Sequence, residues 1–509
     1  MLCPWRSARL GWAVTALALL AGVPPFLCLP PWNDVTLHDL AARTILRGGV
    51  HYRDVFDTNL PGIDWTMAAI RSIFGWSYEA LRAWDLLIVA ATTTILAGIV
   101  KRAGGTNAAI AWFAAAAALF YPFTSEFNHC QRDVWMLLPA AAAVRLRLTH
   151  LDSGRLKASL LEGFVWGIAV WFKPHVLIPA AAVWFASQRF LPGGRLRDLG
   201  GVLLGGILAG ALGVLWLVQT GAWPYFVDVF TNWNPEYVAE GVWQTIPFKA
   251  AFLVRCFLPW GFVHLAAIPA ALLGLRQRES PARALLAALY LGWVVQVVML
   301  QKPFDYVQVP AMLLAFAVLA SRGWSVGFPF LLWFLTIGLP VDRLAVWPRC
   351  WSEGSSPELR DRLGHFTHTH WGTNWENLRD VERYLRTVEP PLRDRELTCW
   401  HDSTHPLYLT LDVEPSTRYM HFGTVFPLRS KVDEIRAEVI RSPQQYVVSD
   451  LLRATRDGNK AYDPAWFPAP DRFPWNQPVV FRSGRYAVHR ITTTPRPEEI
   501  DIPDWSEVK

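Results

Sequence analysis

Two aspartates, Asp34 and Asp39, stand just after an apolar run, 10–29, that carries no charge. The stretch 48–62, GGVHYRDVFDTNLPG, adds Arg53, Asp54 and Asp57. It opens on two glycines and closes on Pro-Gly, so it reads as a turn-rich loop. Farther on, TSEFNHCQRD crowds Glu126, His129, Arg132 and Asp133 together, FKPH carries Lys173 and His175, and QKPF carries Lys302. A carboxylate can take the proton of an attacking hydroxyl, and cations can hold a phosphate as it leaves. In that division of labour Asp34 and Asp39 are the base candidates, and Arg53, Arg132, Lys173 and Lys302 the phosphate candidates. Asp54, Asp57, Glu126, His129, Asp133 and His175 complete the substrate-binding candidates. Each has an ordinary structural duty to weigh against this. Aspartate caps helices, here one beginning near Thr36 or Leu40, and closes turns. Lysines at helix ends reach for headgroups, and charges in a solvated loop need no special cause.

The elements that position these residues follow from the charge pattern. The chain has 509 residues, 52% hydrophobic and only 18% charged, against about a quarter charged in a soluble protein. Segments 10–29, 103–125, 199–227, 256–275, 284–301 and 323–341 contain no Asp, Glu, Lys or Arg. Each is long enough to cross an apolar layer of about 30 Å at about 1.5 Å per residue. The chain is therefore polytopic. Eleven spans are expected, near 10–29, 81–100, 105–123, 134–149, 158–172, 175–190, 199–218, 252–275, 283–301, 304–321 and 323–341. The end of the first, PPFLCLPP, lacks a small-x-small cleavage site, so it reads as an uncleaved helix. The net charge of +6 orients the membrane protein rather than binding nucleic acid.

With the N-terminus in the cytoplasm, fifteen Lys and Arg fall on cytoplasmic segments and span ends, opposed by Asp152, Asp198 and Glu279. Every candidate site residue then lies on the extracytoplasmic side. The segment around Lys173-Pro174-His175 turns a helical hairpin, because proline lacks the N–H a helix interior needs. Residues 30–80 form the first outer loop, in which WTMAAIRSIFGW (65–76) reads as an amphipathic helix. The sequence divides into a membrane module, 1–341, and a small outer α/β domain, 342–509. In the latter WENLRDVERYLRTV and KVDEIRAEVI have helical periodicity, and ELTCWH, QYVVSD and PVVFRSGRYAVHRI read as strands. The six cysteines show no CxxC spacing, and Cys350 and Cys399 are a candidate pair if both lie outside.

An acidic first outer loop, about eleven spans and an outer C-terminal domain together resemble the GT-C glycosyltransferases. The patches that carry the resemblance are NDVTLHDLAARTILRGGVHYRDVFDTNLPG, EFNHCQRD, FKPH and QKPFDYVQVP. The chain is most similar to protein O-mannosyltransferases and bacterial lipid A aminoarabinose transferases. Those families place Asp-Glu eight residues before an alanine; here Asp34 precedes Ala42 by eight, and Val35 stands in place of the glutamate. The resemblance implies a bacterial inner-membrane enzyme moving a sugar from a polyprenyl phosphate to a lipid, glycan or protein acceptor. It implies inversion, an aspartate base, no required cofactor and, as an open question, a divalent metal. Two other classes compete: a transporter or flippase for lipid-linked sugars, and a non-catalytic envelope-assembly protein. Transporters place ionisable groups within spans. Here Asp85, Glu162 and Arg255 are the main charges so placed, and the candidate site lies in loops.

The orientation is testable. A reporter active only outside the cytoplasm should be active when fused after Pro340 or Lys509 and silent after Arg102. The opposite pattern would place the acidic loop in the cytoplasm.

Overall fold

A computed structural model describes residues 6–151, 156–191, 193–240, 245–277, 279–369, 371–420, 428–451 and 472–500. Helices dominate. The first four are α1 (Ala8–Cys28), α2 (Asn33–Leu46), α3 (Gly62–Phe74) and α4 (Tyr78–Arg102). Then follow α5 (Asn107–Phe120), α6 (Arg132–His150), α7 (Leu156–Phe172), α8 (Leu177–Ser187) and α9 (Arg195–Gln219). Short α10 (Trp223–Asp228) and α11 (Asn234–Glu240) precede α12 (Ile246–Arg255), α13 (Val263–Arg276), α14 (Pro281–Leu300), α15 (Asp305–Ala320) and α16 (Gly327–Thr336).

Each of the eleven apolar segments carries a helix. Among the described residues, α1, α4, α9 and α14 are long and apolar enough to cross a membrane one by one. The pair α12 and α13, bent by 116° where Trp260 begins the second arm, makes a fifth crossing if taken as one. The helices over Asn107–Phe123, Pro174–Ser187, Asp305–Ala320 and Gly327–Thr336 are apolar but shorter. Close packing replaces bulk where α7 meets α9. A Cβ on Gly163 would fall 1.9 Å from the Val202 carbonyl oxygen, and one on Gly205 would fall 2.0 Å from that of Leu160. Small residues let helix backbones touch in an apolar surrounding, which offers no hydrophobic drive for association.

The hairpin expected at Lys173 is present: α7 ends at Phe172, a short 3-10 turn covers Pro174–Val176, and α8 follows. The amphipathic helix of the first loop is α3, three residues earlier than the periodicity placed it. α2 starts at Asn33 with Trp32 as its N-cap, so neither Asp34 nor Asp39 caps it. The reason is that most of α2, from Val35 to Thr44, is buried, and packing overrides the local capping preference.

After α16 the chain forms a four-stranded sheet in the order β1-β2-β4-β3, with β1 (Leu397–Cys399), β2 (Tyr446–Asp450), β3 (Val479–Ser483) and β4 (Tyr486–Arg490). β1 and β2 are parallel and the other pairs antiparallel. The stretch PVVFRSGRYAVHRI is two strands, not one: Gly484, at φ 50°, turns β3 back onto β4. Cys350 and Cys399 are both free. They sit in different apolar cores, Cys350 with the helical bundle and Cys399 with the sheet, so they do not pair.

α2 joins those two cores. Val35 and Ala42, two turns apart, pack into the bundle, while Leu37, Leu40 and Ala41 pack with Leu378, Val381 and Val488. On the bundle side Asp39 forms a bidentate pair with Arg71 of α3, Nε to Oδ1 at 2.7 Å and Nη2 to Oδ2 at 2.5 Å, and neither side chain is exposed. Arg71 also donates to the carbonyls of Gly75 (3.2 Å) and Ser77 (2.8 Å), fixing the end of α3. On the sheet side Arg43 donates to the carbonyls of Tyr408 and Val413, each at 2.6 Å. Replacing Arg71 with Ala strands the Asp39 charge in a dry interior. The expected loss is about 3–5 kcal/mol, read as a large drop in thermal midpoint and folded yield in detergent. Arg71→Ala paired with Asp39→Ala should recover part of it.

Candidate active site

The acids and cations of the first loop do not form one cluster. Arg53 and Asp54 pair with each other at the surface, Nε to Oδ1 2.7 Å, and Asp54 Oδ2 accepts from the backbone N–H of Val50 at 2.7 Å. Asp54 therefore closes the turn it belongs to. Tyr52 holds the same turn in the left-handed region, φ 66°, with its hydroxyl donating to the Asn59 carbonyl at 2.7 Å. Asp57 Oδ1 accepts from the Asn59 N–H at 3.0 Å, an Asx turn, and its Oδ2 points inward.

In the 126–133 segment the roles also separate. Glu126 receives the N–H groups of His365 and Phe366 at 3.0 and 2.9 Å, tying that backbone to the helices. His129 is fully buried, its Nε2 within 2.9 Å of Thr124 Oγ1 and its ring 4.5 Å from that of Phe26. Burial and the charge of Arg82 hold it well below the usual imidazole range, so it is neutral. Asp133 accepts Lys173 Nζ through both oxygens, at 2.9 and 3.1 Å, and Lys173 also donates to Gln301 Oε1 at 2.5 Å. Burial pushes the Lys173 ammonium down to about 8 against the pull of Asp133.

What remains is a half-buried group that the sequence did not assemble. Asp34 lies in the first turn of α2, where the helix N-terminus favours an anion. Among the described residues its carboxylate makes no hydrogen bond or ion pair. It acts electrostatically on two tyrosines, Tyr237 of α11 and Tyr306 of α15. Arg132 acts on the same two, and its side chain lies 3.8 Å from Asp133 and is 17% exposed. Lys302 places Nζ 4.1 Å from the Tyr237 ring centroid. Loss of solvent raises the Tyr237 hydroxyl above its ordinary range, with Arg132 opposing and Asp34 and Asp57 adding to the rise. Asp34 and Arg132 thus act on one pair of tyrosines, and Lys302 lies over the ring of Tyr237. His175 stands beside this group, within the fields of Lys173, Asp133 and Arg132. Asp39 does not belong to it, since Arg71 takes both its oxygens.

The sequence singled out neither tyrosine. It also passed over His38, His51 and Asp64, which converge with Asp57 in the interior behind the loop. The available signal was the density of His and Asp between 38 and 64 in so apolar a chain. His38, Asp57 and Asp64 can each offer one ligand atom, all within 4.8 Å of one another, so a metal could be held there.

Residues 59–218 match the family model described as dolichyl-phosphate-mannose-protein mannosyltransferase. That match spans under half of the chain. Among solved structures, ArnT from Cupriavidus metallidurans in the apo state is similar at TM-score 0.50 and 17% identity, over 95% of this chain and 98% of that one. The Archaeoglobus fulgidus oligosaccharyltransferase complex with Zn and sulfate gives 0.48 and 14%, over 87% and 68% of the two chains. AglB from the same organism, in complex with an inhibitory peptide and a dolichol-phosphate, gives 0.48 and 14%, over 87% and 70%. No curated protein matches the chain. The likeness to ArnT is one of fold, and this chain itself carries helices long and apolar enough to cross a membrane. Two of the three charges noted inside its spans are locked by partners. Asp85 accepts from Tyr121 (2.8 Å) and Trp135 (2.6 Å), and Glu162 pairs with Arg147 at 2.7 Å.

The two lysines should separate cleanly. Lys173→Met leaves buried Asp133 without its hydrogen-bonded cation and with only Arg132 at 3.8 Å, so it should cost about 3 kcal/mol of stability, read by thermal unfolding. Lys302→Met removes a cation from the half-buried group and should weaken phosphate-lipid binding several-fold with the thermal midpoint little changed.

Proposed function

We propose that the half-buried group transfers a sugar from a polyprenyl-phosphate donor to an acceptor hydroxyl, with inversion, on the extracytoplasmic face of a bacterial inner membrane. The observation that carries this reading is the Asp34 carboxylate: unpaired among the described residues, in the first turn of α2, and sharing two tyrosines with Arg132. The family match supplies the class of donor, a polyprenyl phosphate sugar.

In the proposed step the acceptor oxygen attacks the anomeric carbon and Asp34 takes its proton. The bond between that carbon and the phosphate oxygen breaks, and the phosphate keeps the electron pair. Arg132 and Lys302 stabilise the charge that appears on it. Base and cations on opposite sides of the sugar give inversion. Lys173 acts through Asp133, which holds Arg132 in place, and so is a positioning residue. The locked pairs at Asp85 and Glu162 favour this over passage of a lipid-linked sugar, because a transport path needs ionisable groups that can exchange partners.

Val35 is 1% exposed and packs into the bundle core, where a glutamate would be buried without a partner. A single aspartate is sufficient for the chemistry, since phosphate needs no general acid to leave. Asp34→Asn keeps size and polarity but cannot accept the proton. Turnover should fall by about 10²–10⁴-fold with donor binding and thermal midpoint retained. Full turnover in Asp34→Asn would remove the base from this mechanism.

A further inference from the structure

Behind the loop, four side chains from three turns of chain converge where water does not reach. His38 comes from the second turn of α2, His51 and Asp57 from the loop, and Asp64 from the first turn of α3. Their exposures are 3%, 0%, 3% and 0%. His38 Nδ1 lies 2.8 Å from Asp64 Oδ1 and 3.9 Å from Asp57 Oδ2, and His51 Nε2 lies 3.3 Å from Asp64 Oδ2. The inventory of hydrogen bonds is incomplete here. Both ring nitrogens of His51, Oδ2 of Asp57 and Oδ2 of Asp64 are buried with no hydrogen-bond partner.

Unpartnered buried polar atoms are costly, and two buried carboxylates need about two positive charges nearby. We propose that this cluster is a binding site for a divalent transition cation of the zinc or manganese class, with His38, Asp57 and Asp64 as ligands and His51 beside them against Asp64. An imidazole and two carboxylates suit such an ion, whereas magnesium and calcium favour all-oxygen sets. A dication with a neutral histidine and two carboxylates is also electrically neutral as a unit. Tetrahedral ligands at about 2.1 Å from a metal stand about 3.4 Å apart. The ligand atoms of His38, Asp57 and Asp64 all lie within 4.8 Å of one another, so small side-chain shifts bring them to that spacing. Arg132 is a further cation acting on Asp57 and His38, and its carboxylate partner is Asp133.

The ion would tie α2, the loop and α3 together directly behind Asp34, which lies one helical turn before His38 on the same face of α2. It would also offset the charge of Asp57, which otherwise acts on Tyr237. The site stands on its own geometry and does not depend on the transfer reaction.

The test uses the full chain purified in detergent, stripped with a chelator and reloaded with Zn(II) or Co(II). Elemental analysis should find about one zinc per chain after desalting, and Co(II) should give the visible bands of a low-symmetry nitrogen–oxygen site. Zinc should raise the thermal midpoint, and chelator should reverse the rise. His38→Ala and Asp64→Asn should lower metal content at least tenfold, whereas Asp34→Asn should keep it. Zinc at the same level in wild type and both ligand variants would overturn the proposal. So would the absence of both cobalt bands and a chelator-reversible shift in wild type, whatever the variants' yield. Metal retained with full turnover in Asp34→Asn would sink the base assignment and leave the metal site intact.

Discussion

The buried pair between Asp39 and Arg71 is the contact on which the placement of everything else depends. Two opposite charges with no exposure cannot drift apart without leaving one of them unsolvated, so α2 and α3 hold a single relative position. Arg71 spends its remaining donors on the carbonyls of Gly75 and Ser77, which carries the constraint into the start of α4. With α2 fixed, Asp34 at its beginning and His38 one turn later have defined positions relative to α3.

α2 is fourteen residues long, and its faces serve different neighbours. Val35 and Ala42 belong to the bundle, Leu37, Leu40 and Ala41 to the sheet core, and Asp34 and His38 to the polar site and its interior. Arg43 and Arg47 then fasten its end to the segment 408–414. The first loop is thus a joint between bundle and sheet. That explains why a chain so apolar spends so many charges on thirty residues: a joint between two apolar cores must be specified by directional contacts, since apolar contact alone is tolerant of sliding.

The ionisable residues sort into two kinds. Glu126, His129, Asp133, Lys173 and Asp39 are engaged by partners that account for their burial. Asp34 lacks such a partner among the described residues, and His38, His51, Asp57 and Asp64 face one another with several buried atoms left without a hydrogen bond. An engaged charge builds the fold. An unengaged one at half exposure, or a set of them sharing one dry space, is where chemistry or a ligand can enter. Lys173 shows the difference well: at the end of a helix beside proline it looks like an anion ligand, yet its three donor directions face Asp133 and Gln301.

Amino-acid order alone determined the apolar helices, the hairpin at Pro174, the amphipathic α3 and the strand segments. Each of these is a local pattern of burial or backbone chemistry that any packing must respect. It also carried the resemblance to GT-C glycosyltransferases and the eight-residue spacing from Asp34 to Ala42, which is local too. Only the tertiary structure decided which of two nearby aspartates is committed to an arginine thirty-two residues away. It alone decided that Glu126 serves a backbone two hundred and thirty-nine residues later, and that Lys302 meets the ring of Tyr237. Those contacts join segments whose separation along the chain carries no periodic trace. A charge's role in a protein is set by what stands opposite it, and residue type and spacing cannot say what that is.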